Sequence, residues 1–194
     1  MAPDAEIIEA VLRGDTERYG ELVERYQLAA WRLAFSFVGN AHDAQELAQD
    51  GFVQAYRRLR QFRGASRFST WLYRIIANEC KDFFRAKSRR PGTLSLSVDN
   101  AEEDSVPFEL ADPAGDPRDA IDAREVAVRI TRAVGRLPMN QRAAFVLRHL
   151  NGMPVEEVAE VMGCRPGTVK SHLFRAAEAL RGQIEPFLKT EVHR

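Results

Sequence analysis

The sequence predicts an all-α protein made of two small helical domains joined by an acidic linker. Three observations carry this. Apolar residues recur at helical spacing through residues 1–90 and again from residue 120 onward, with no sustained two-residue alternation flanked by hairpin turns. Between these blocks, "PGTLSLSVDNAEEDSVPFELADPAGDP" holds four prolines, two glycines and many acids without helical period, the composition of a linker. The formal net charge is zero, yet the balance is +3 over residues 1–90, −8 over 91–125 and +5 over 126–194. Two cationic lobes around an acidic connector point to contact with a polyanion at both ends.

Each element follows from local chemistry. A first helix is expected from Glu6 to Arg13, stopped by Gly14. Asp15 or Thr16 can cap a second that runs to Gly39, and Asp43 can cap a third through "AQELAQDGFVQAYRRLRQF". Gly51 lies inside this third helix at a cost of about 1 kcal/mol relative to alanine, so either packing holds the helix there or it breaks. A loop around Gly64 leads to a fourth helix starting near Ser69. Helical spacing resumes at Ala120, breaks at Pro138, continues through "NQRAAFVLRHLNG", and ends in a final pair of helices.

Several function classes are disfavoured. No apolar run approaches the ~18 residues needed to cross a bilayer, and "MAPDAEIIEA" lacks the basic-then-apolar order of a signal peptide, so a cytoplasmic protein without membrane insertion is expected. Cys80 and Cys164 are far apart with no histidine pair nearby, which suggests buried thiols rather than a zinc site or a disulfide. No glycine-rich phosphate loop, metal-spaced cluster or nucleophile with a base partner is visible; no catalytic residue, metal or cofactor is expected.

"VEEVAEVMGCRPGTVKSHLFRAAEAL", Val155 to Leu180, fits a helix-turn-helix on steric grounds. Ala159 is small where two helices cross, Gly163 can take the left-handed conformation of a tight turn, and Val169 can close the core between them. Pro166 suits the first turn of the second helix. With Val169, Leu173, Ala176, Ala177 and Leu180 inward, Lys170, Ser171, Phe174 and Arg175 fall on or beside the open face, as a DNA-reading helix requires. The alternative is an exposed helix of a protein-binding bundle.

The stretch "FRGASRFSTWLYRIIANECKDFFRAKSRR" sets rings beside cations; residues 51–90 hold 11 Lys and Arg against 2 acids. At 100° per residue, Leu72, Ile75, Ile76, Cys80 and Phe83 face the core. Trp71, Arg74, Asn78, Lys81 and Arg85 form a second stripe, which Phe62, Arg63, Ser66, Arg67 and Phe68 of the preceding loop could extend. Cations tracking phosphates, rings that stack bases and an amide that reads a base edge make a surface for single-stranded nucleic acid. The competing reading packs Phe62, Phe68 and Trp71 against neighbouring helices and leaves the cations merely solvated. Glu79 lies near the core side without a role in either.

Both blocks, in this order, resemble the extracytoplasmic-function (group IV) sigma factors of bacterial RNA polymerase, particularly the sigma-E-like branch. "DAQELAQDGFVQAYRRLRQFRGASRFSTWLYRIIANECKDFFRAKSRR" is similar to their regions 2.2 to 2.4, and "LPMNQRAAFVLRHLNGMPVEEVAEVMGCRPGTVKSHLFRAAEAL" to region 4. The resemblance implies a region 2 helical bundle over residues 1–90, an acidic linker over 91–119 and a region 4 helix-turn-helix over 120–194. It implies that Asp43, Glu46, Gln49, Asp50 and Phe52 meet the β′ clamp of core polymerase. Phe62, Arg63, Ser66, Arg67, Phe68, Trp71, Arg74, Asn78, Lys81 and Arg85 would capture the non-template strand of the −10 element. Arg148, Arg165, Thr168, Lys170, Ser171, Phe174 and Arg175 would meet the −35 duplex, with region 4 also on the β flap. An anti-sigma factor is a further implied partner. Gly51 stands where the family usually has Ala or Thr, which would loosen the clamp helix, and His172 and Ala177 replace residues often basic in the branch.

The expected function is thus promoter recognition and melting for transcription initiation, without catalysis by this chain. A linker of roughly thirty residues spans up to about 100 Å, and two duplex turns cover about 70 Å, so both lobes could reach one promoter. An autonomous helix-turn-helix regulator is the alternative, but it leaves residues 62–90 without a task. An enzyme acting on nucleic acid through Asp82 or Glu79 is a third reading, weakened because lone acids on a cationic face commonly form ion pairs.

Overall fold

The structure is a computed structural model that describes residues 2–88 and 130–191. The expected linker at 91–119 and the first part of the helix expected from Ala120 lie outside the described residues. Among the described residues every regular element is helical. α1 (Asp4–Leu12) is followed by a 3₁₀ turn (Thr16–Arg18), α2 (Tyr19–Val38) and α3 (Ala41–Arg57). A second 3₁₀ turn (Leu59–Gln61) leads to α4 (Phe68–Ser88). The second group consists of α5 (130–135), α6 (Met139–Phe145), a π turn (Val146–Leu150), α7 (Val155–Met162) and α8 (Pro166–Glu191).

Boundaries depart from expectation where two capping residues compete. Asn40, not Asp43, caps α3: its extended backbone leaves the helix and its Oδ1 accepts from the Asp43 N–H at 3.0 Å. Gly39 ends α2 in the left-handed conformation at φ 72°, its N–H donating to the Phe35 carbonyl. Asp4 fastens α1 to α2 by accepting from Arg25 and from Tyr26 Oη, while Arg25 also donates to the Ala2 carbonyl.

α2, α3 and α4 bury one continuous apolar face. On α4 the expected core residues Leu72, Ile75, Ile76 and Cys80 are buried and Phe83 is half-buried; Tyr73 and Ala77 join them. α3 is unbroken at Gly51, and packing is the reason. A Cβ there would lie 2.3 Å from Ile76 Cγ1, so glycine lets the Ile76 side chain reach the α3 backbone. The expected loosening of α3 is therefore replaced by a close crossing of α3 and α4.

The two helical groups do not stand apart. One core runs from Ile7 and Leu33 through Leu72 to Leu147, Val158 and Val169, and a smaller one joins Val134 and Leu137 to Ala176 and Leu180. Arg142 of α6, only 8% exposed, crosses between the groups. Its guanidinium donates to the carbonyls of Ser36 at 2.5 Å, Phe37 at 3.2 Å and Gly135 at 2.7 Å. The first two lie at the end of α2, where carbonyls lack helical partners and the dipole is negative.

Candidate nucleic-acid interface

The helix-turn-helix forms as its steric pattern requires. α7 ends at Gly163 (φ 68°, ψ 39°), and the N–H groups of Gly163 and Cys164 donate back to Glu160 and Ala159. This paired 5→2 and 6→1 closure turns the chain within two residues. Ala159 and Val169 are buried at the helix crossing, and Pro166 is the first residue of α8. Val169, Ala176 and Leu180 point inward, Leu173 is half-buried, and Ala177 is exposed, contrary to expectation, because it lies past the edge of the buried stripe.

The outward face of α8 carries a shallow hollow lined by Lys170, Ser171, Phe174, Arg175 and Glu178. Phe174 is 64% exposed, far more than a core ring would be. Arg165 and Thr168 sit exposed at the start of the same helix. Glu178 was not expected there; its position one turn beyond Phe174 was the available signal, and a carboxylate in a groove can accept from a cytosine amine. Ser171 Oγ donates to the Gly167 carbonyl at 3.0 Å. Arg148 is exposed within the π turn, donating to the Met153 carbonyl at 3.2 Å. His149 beside it, tilted over Phe145, has its pKa lowered by burial and by Arg148.

On the first group, Phe62, Phe68 and Trp71 form a three-ring cluster with centroids 5.3–5.9 Å apart. Phe62 and Trp71 are half-buried, leaving ring surface open to solvent. Phe68 differs from expectation: at 2% exposure, also in contact with Tyr26, it supports the other two rings from below rather than facing a strand. Arg63, Arg67, Arg74, Asn78 and Arg85 are exposed around the cluster and along α4, with Ser66 and Lys81 half-buried. Asp82, the carboxylate a nucleic-acid enzyme would use, lies 2.8 Å from Arg85 in an i,i+3 ion pair. The structure thus gathers rings, cations and the Asn78 amide on one side of α4 and its preceding loop.

α3 presents Glu46, Gln49 and Asp50 to solvent on one face, with Asp43 half-buried nearby. Phe52 departs from expectation: it is 7% exposed and packs in the core, because it lies on the opposite side of α3 from Glu46 and Asp50. The residues missed on this helix are Val53 (46% exposed) and Tyr56, whose ring meets Tyr19 edge-on at 5.0 Å. Spacing was the signal for Val53, which follows Glu46, Gln49 and Asp50 at i+7, i+4 and i+3.

Known proteins share this organisation. Sigma-70 region 2 matches residues 22–90 and sigma-70 region 4 matches residues 127–180, which defines the class as sigma factors of the sigma-70 type. The RNA polymerase sigma-H factor of Pseudomonas aeruginosa is 38% identical over 186 residues, covering 96% of either chain. The ECF RNA polymerase sigma-E factor of Haemophilus influenzae is 35% identical over 185 residues, 95% of this chain and 97% of that one. The chain belongs to the extracytoplasmic-function sigma factors. Among solved structures, CnrH in complex with the cytosolic domain of CnrY is similar at TM-score 0.64 and 25% identity, over 94% of this chain and 97% of that one. The sigma factor RpoE of Bartonella quintana, in complex with the anti-sigma factor NepR, is similar at TM-score 0.60 and 25% identity, over 85% and 97%. No helix among the described residues is long and apolar enough to cross a membrane.

Proposed function

We propose that the chain is a promoter-specificity subunit that joins bacterial core RNA polymerase in the cytoplasm, binds the −35 duplex and captures the −10 strand. The single observation that carries this reading is the pairing of two different nucleic-acid surfaces in one chain. An open α8 face with Lys170, Phe174 and Arg175 suits a major groove. Half-buried rings beside Asn78 and Arg74 suit unstacked bases. A dimeric repressor would use only the first of these.

In this role α8, with Arg148, Arg165 and Thr168, holds one end of the promoter. Phe62 and Trp71 stack bases that leave the duplex, and the exposed cations follow their phosphates. Each stacked base contributes about 1–3 kcal/mol, which favours the melted form. The α3 face of Glu46, Gln49, Asp50 and Val53 is the surface for the polymerase clamp, and the β flap takes region 4. Nucleotidyl transfer stays with polymerase, so this chain contributes recognition and melting but no bond chemistry. The relatives solved with CnrY and NepR support an anti-sigma partner here as well.

The test is to mix the purified chain with core polymerase and a library of random promoters and to sequence the transcripts. Initiation that depends on both components, at a shared two-part motif, is expected. Initiation no greater than with core polymerase alone would overturn the reading, and strand cleavage without polymerase would favour an enzyme.

A further inference from the structure

α7 is the acidic helix of the helix-turn-helix, with Glu156, Glu157 and Glu160 and no cation. It packs against α4, the helix that carries the strand-capture stripe. At the start of α7, Glu157 Oε2 accepts from Thr70 Oγ1 at 2.6 Å and Glu157 Oε1 lies 3.5 Å from Arg67 Nε. At its end, Lys81 Nζ donates to the Met162 carbonyl at 3.1 Å, where the helix dipole is negative. Arg67 and Lys81 are two of the cations assigned above to the promoter strand. A carboxylate held by a guanidinium and a hydroxyl has the charge sign and the acceptor oxygens of a backbone phosphate. The second DNA surface is untouched in this arrangement: Lys170, Ser171, Phe174 and Arg175 all face solvent.

We propose that docked α7 is an intramolecular latch that engages only one of the two DNA surfaces, at Arg67 and Lys81, with Glu157 standing in for a strand phosphate while the duplex-reading face of α8 stays open. This rests on the promoter reading above and deepens it. Arg142 also holds the closed form, by donating to the Ser36 and Phe37 carbonyls at the end of α2. Trp71, Arg74 and Asn78 stay open beside the latch, but a strand whose phosphates use Arg67 and Lys81 must displace Glu157 and the end of α7 from them. It does so beside two further carboxylates on the same helix. Duplex binding by α8 requires no such displacement, so the closed chain can hold a −35 element before it can hold a −10 strand.

Fluorescence anisotropy of the full chain at low salt, with a labelled random-sequence single-stranded pool and a labelled random-sequence duplex pool, tests the latch. Glu157→Gln keeps the size of the side chain and removes its charge. It is expected to raise single-strand affinity by about three- to tenfold while duplex affinity changes by less than about twofold. Thr70→Val, which removes the hydroxyl but keeps the shape, is expected to act in the same direction. Unchanged single-strand affinity in both variants, or an equal rise for both pools, would overturn the proposal. The same pools presented with core polymerase separate the two readings. Should the wild-type holoenzyme fail to bind the single strand, the promoter reading fails and the latch with it. Should it bind normally while both free variants match wild type, the latch alone fails.

Discussion

Replacing Gly51 with alanine sets two opposed effects against each other, and their sizes follow from the geometry. Alanine inside a helix is favoured over glycine by about 1 kcal/mol. The new methyl, however, would sit 2.3 Å from Ile76 Cγ1 and 3.3 Å from Ile76 Cδ1. Carbon atoms at rest are about 3.5–4.0 Å apart, so one helix must move by more than an ångström. Ile76 is fully buried and cannot swing away. Overpacking of this kind costs about 1–3 kcal/mol, and Gly51→Ala is therefore expected to be destabilising by roughly 0–2 kcal/mol in urea unfolding. Ile76→Ala alone should cost about 2–5 kcal/mol. In the double variant the methyl added at position 51 meets only the Cβ that remains at position 76, 3.5 Å away, so the two changes should couple favourably by about 1–3 kcal/mol. A double variant additive within about 0.5 kcal/mol, or a single Gly51→Ala variant stabilised by the full helix-propensity gain, would refute the close crossing of α3 and α4.

Asn78→Ala is expected to reduce open-complex formation about five- to hundredfold, the equivalent of roughly 1–3 kcal/mol, and to spare −35 duplex binding; equal loss of both would move the base pocket elsewhere. Lys170→Ala should weaken −35 binding and reduce the slope of log K against log salt by about one, whereas an unchanged slope would take Lys170 off the phosphates. Burial and neighbouring Glu79 push the Cys80 thiol up to about 12. An unfolded thiol titrates at about 8.5, so the folded state binds more protons above that pH, and stability present below it declines as pH rises towards 12. Cys80→Ala should flatten this alkaline limb in urea titrations. At neutral pH a thiol-alkylating reagent should modify Cys164, which is half-buried, and reach Cys80 only on unfolding.

Much of this was readable from sequence because the deciding interactions are local. Helical period alone separates Leu72, Ile75, Ile76 and Cys80 from Arg74 and Asn78, and the Ala159, Gly163, Val169 spacing states three steric demands of one turn. Where the outcome depends on a neighbour distant in the chain, period fails. Phe68 lies at the border of a stripe, and contact with Tyr26 decides its burial; Phe52 is placed outward by the resemblance alone, whereas period sets it among buried Ala48, Gly51 and Ala55. Asn40 and Asp43 are chemically equivalent caps three residues apart, and the choice rests on where the backbone after Gly39 re-enters the helical region.

Arg142 marks the limit most clearly. Within "MNQRAAF" it reads as an ordinary cation on a solvated helix, since nothing at i±3 or i±4 competes for it. Its partners at Ser36 and Phe37 are more than a hundred residues away, and they are backbone carbonyls, which carry no side-chain signature. Once burial is known, its chemistry is constrained. An arginine in a core needs acceptors for its donors, and the end of a helix supplies several together in a negative field. The attraction expected from two cationic lobes around an acidic linker is non-specific and would permit many relative orientations. Two directed hydrogen bonds from one guanidinium to the end of α2, together with Glu157 on Thr70, select one. Specific closure of this kind can be opened by a single competing partner at either contact, which diffuse charge attraction cannot provide.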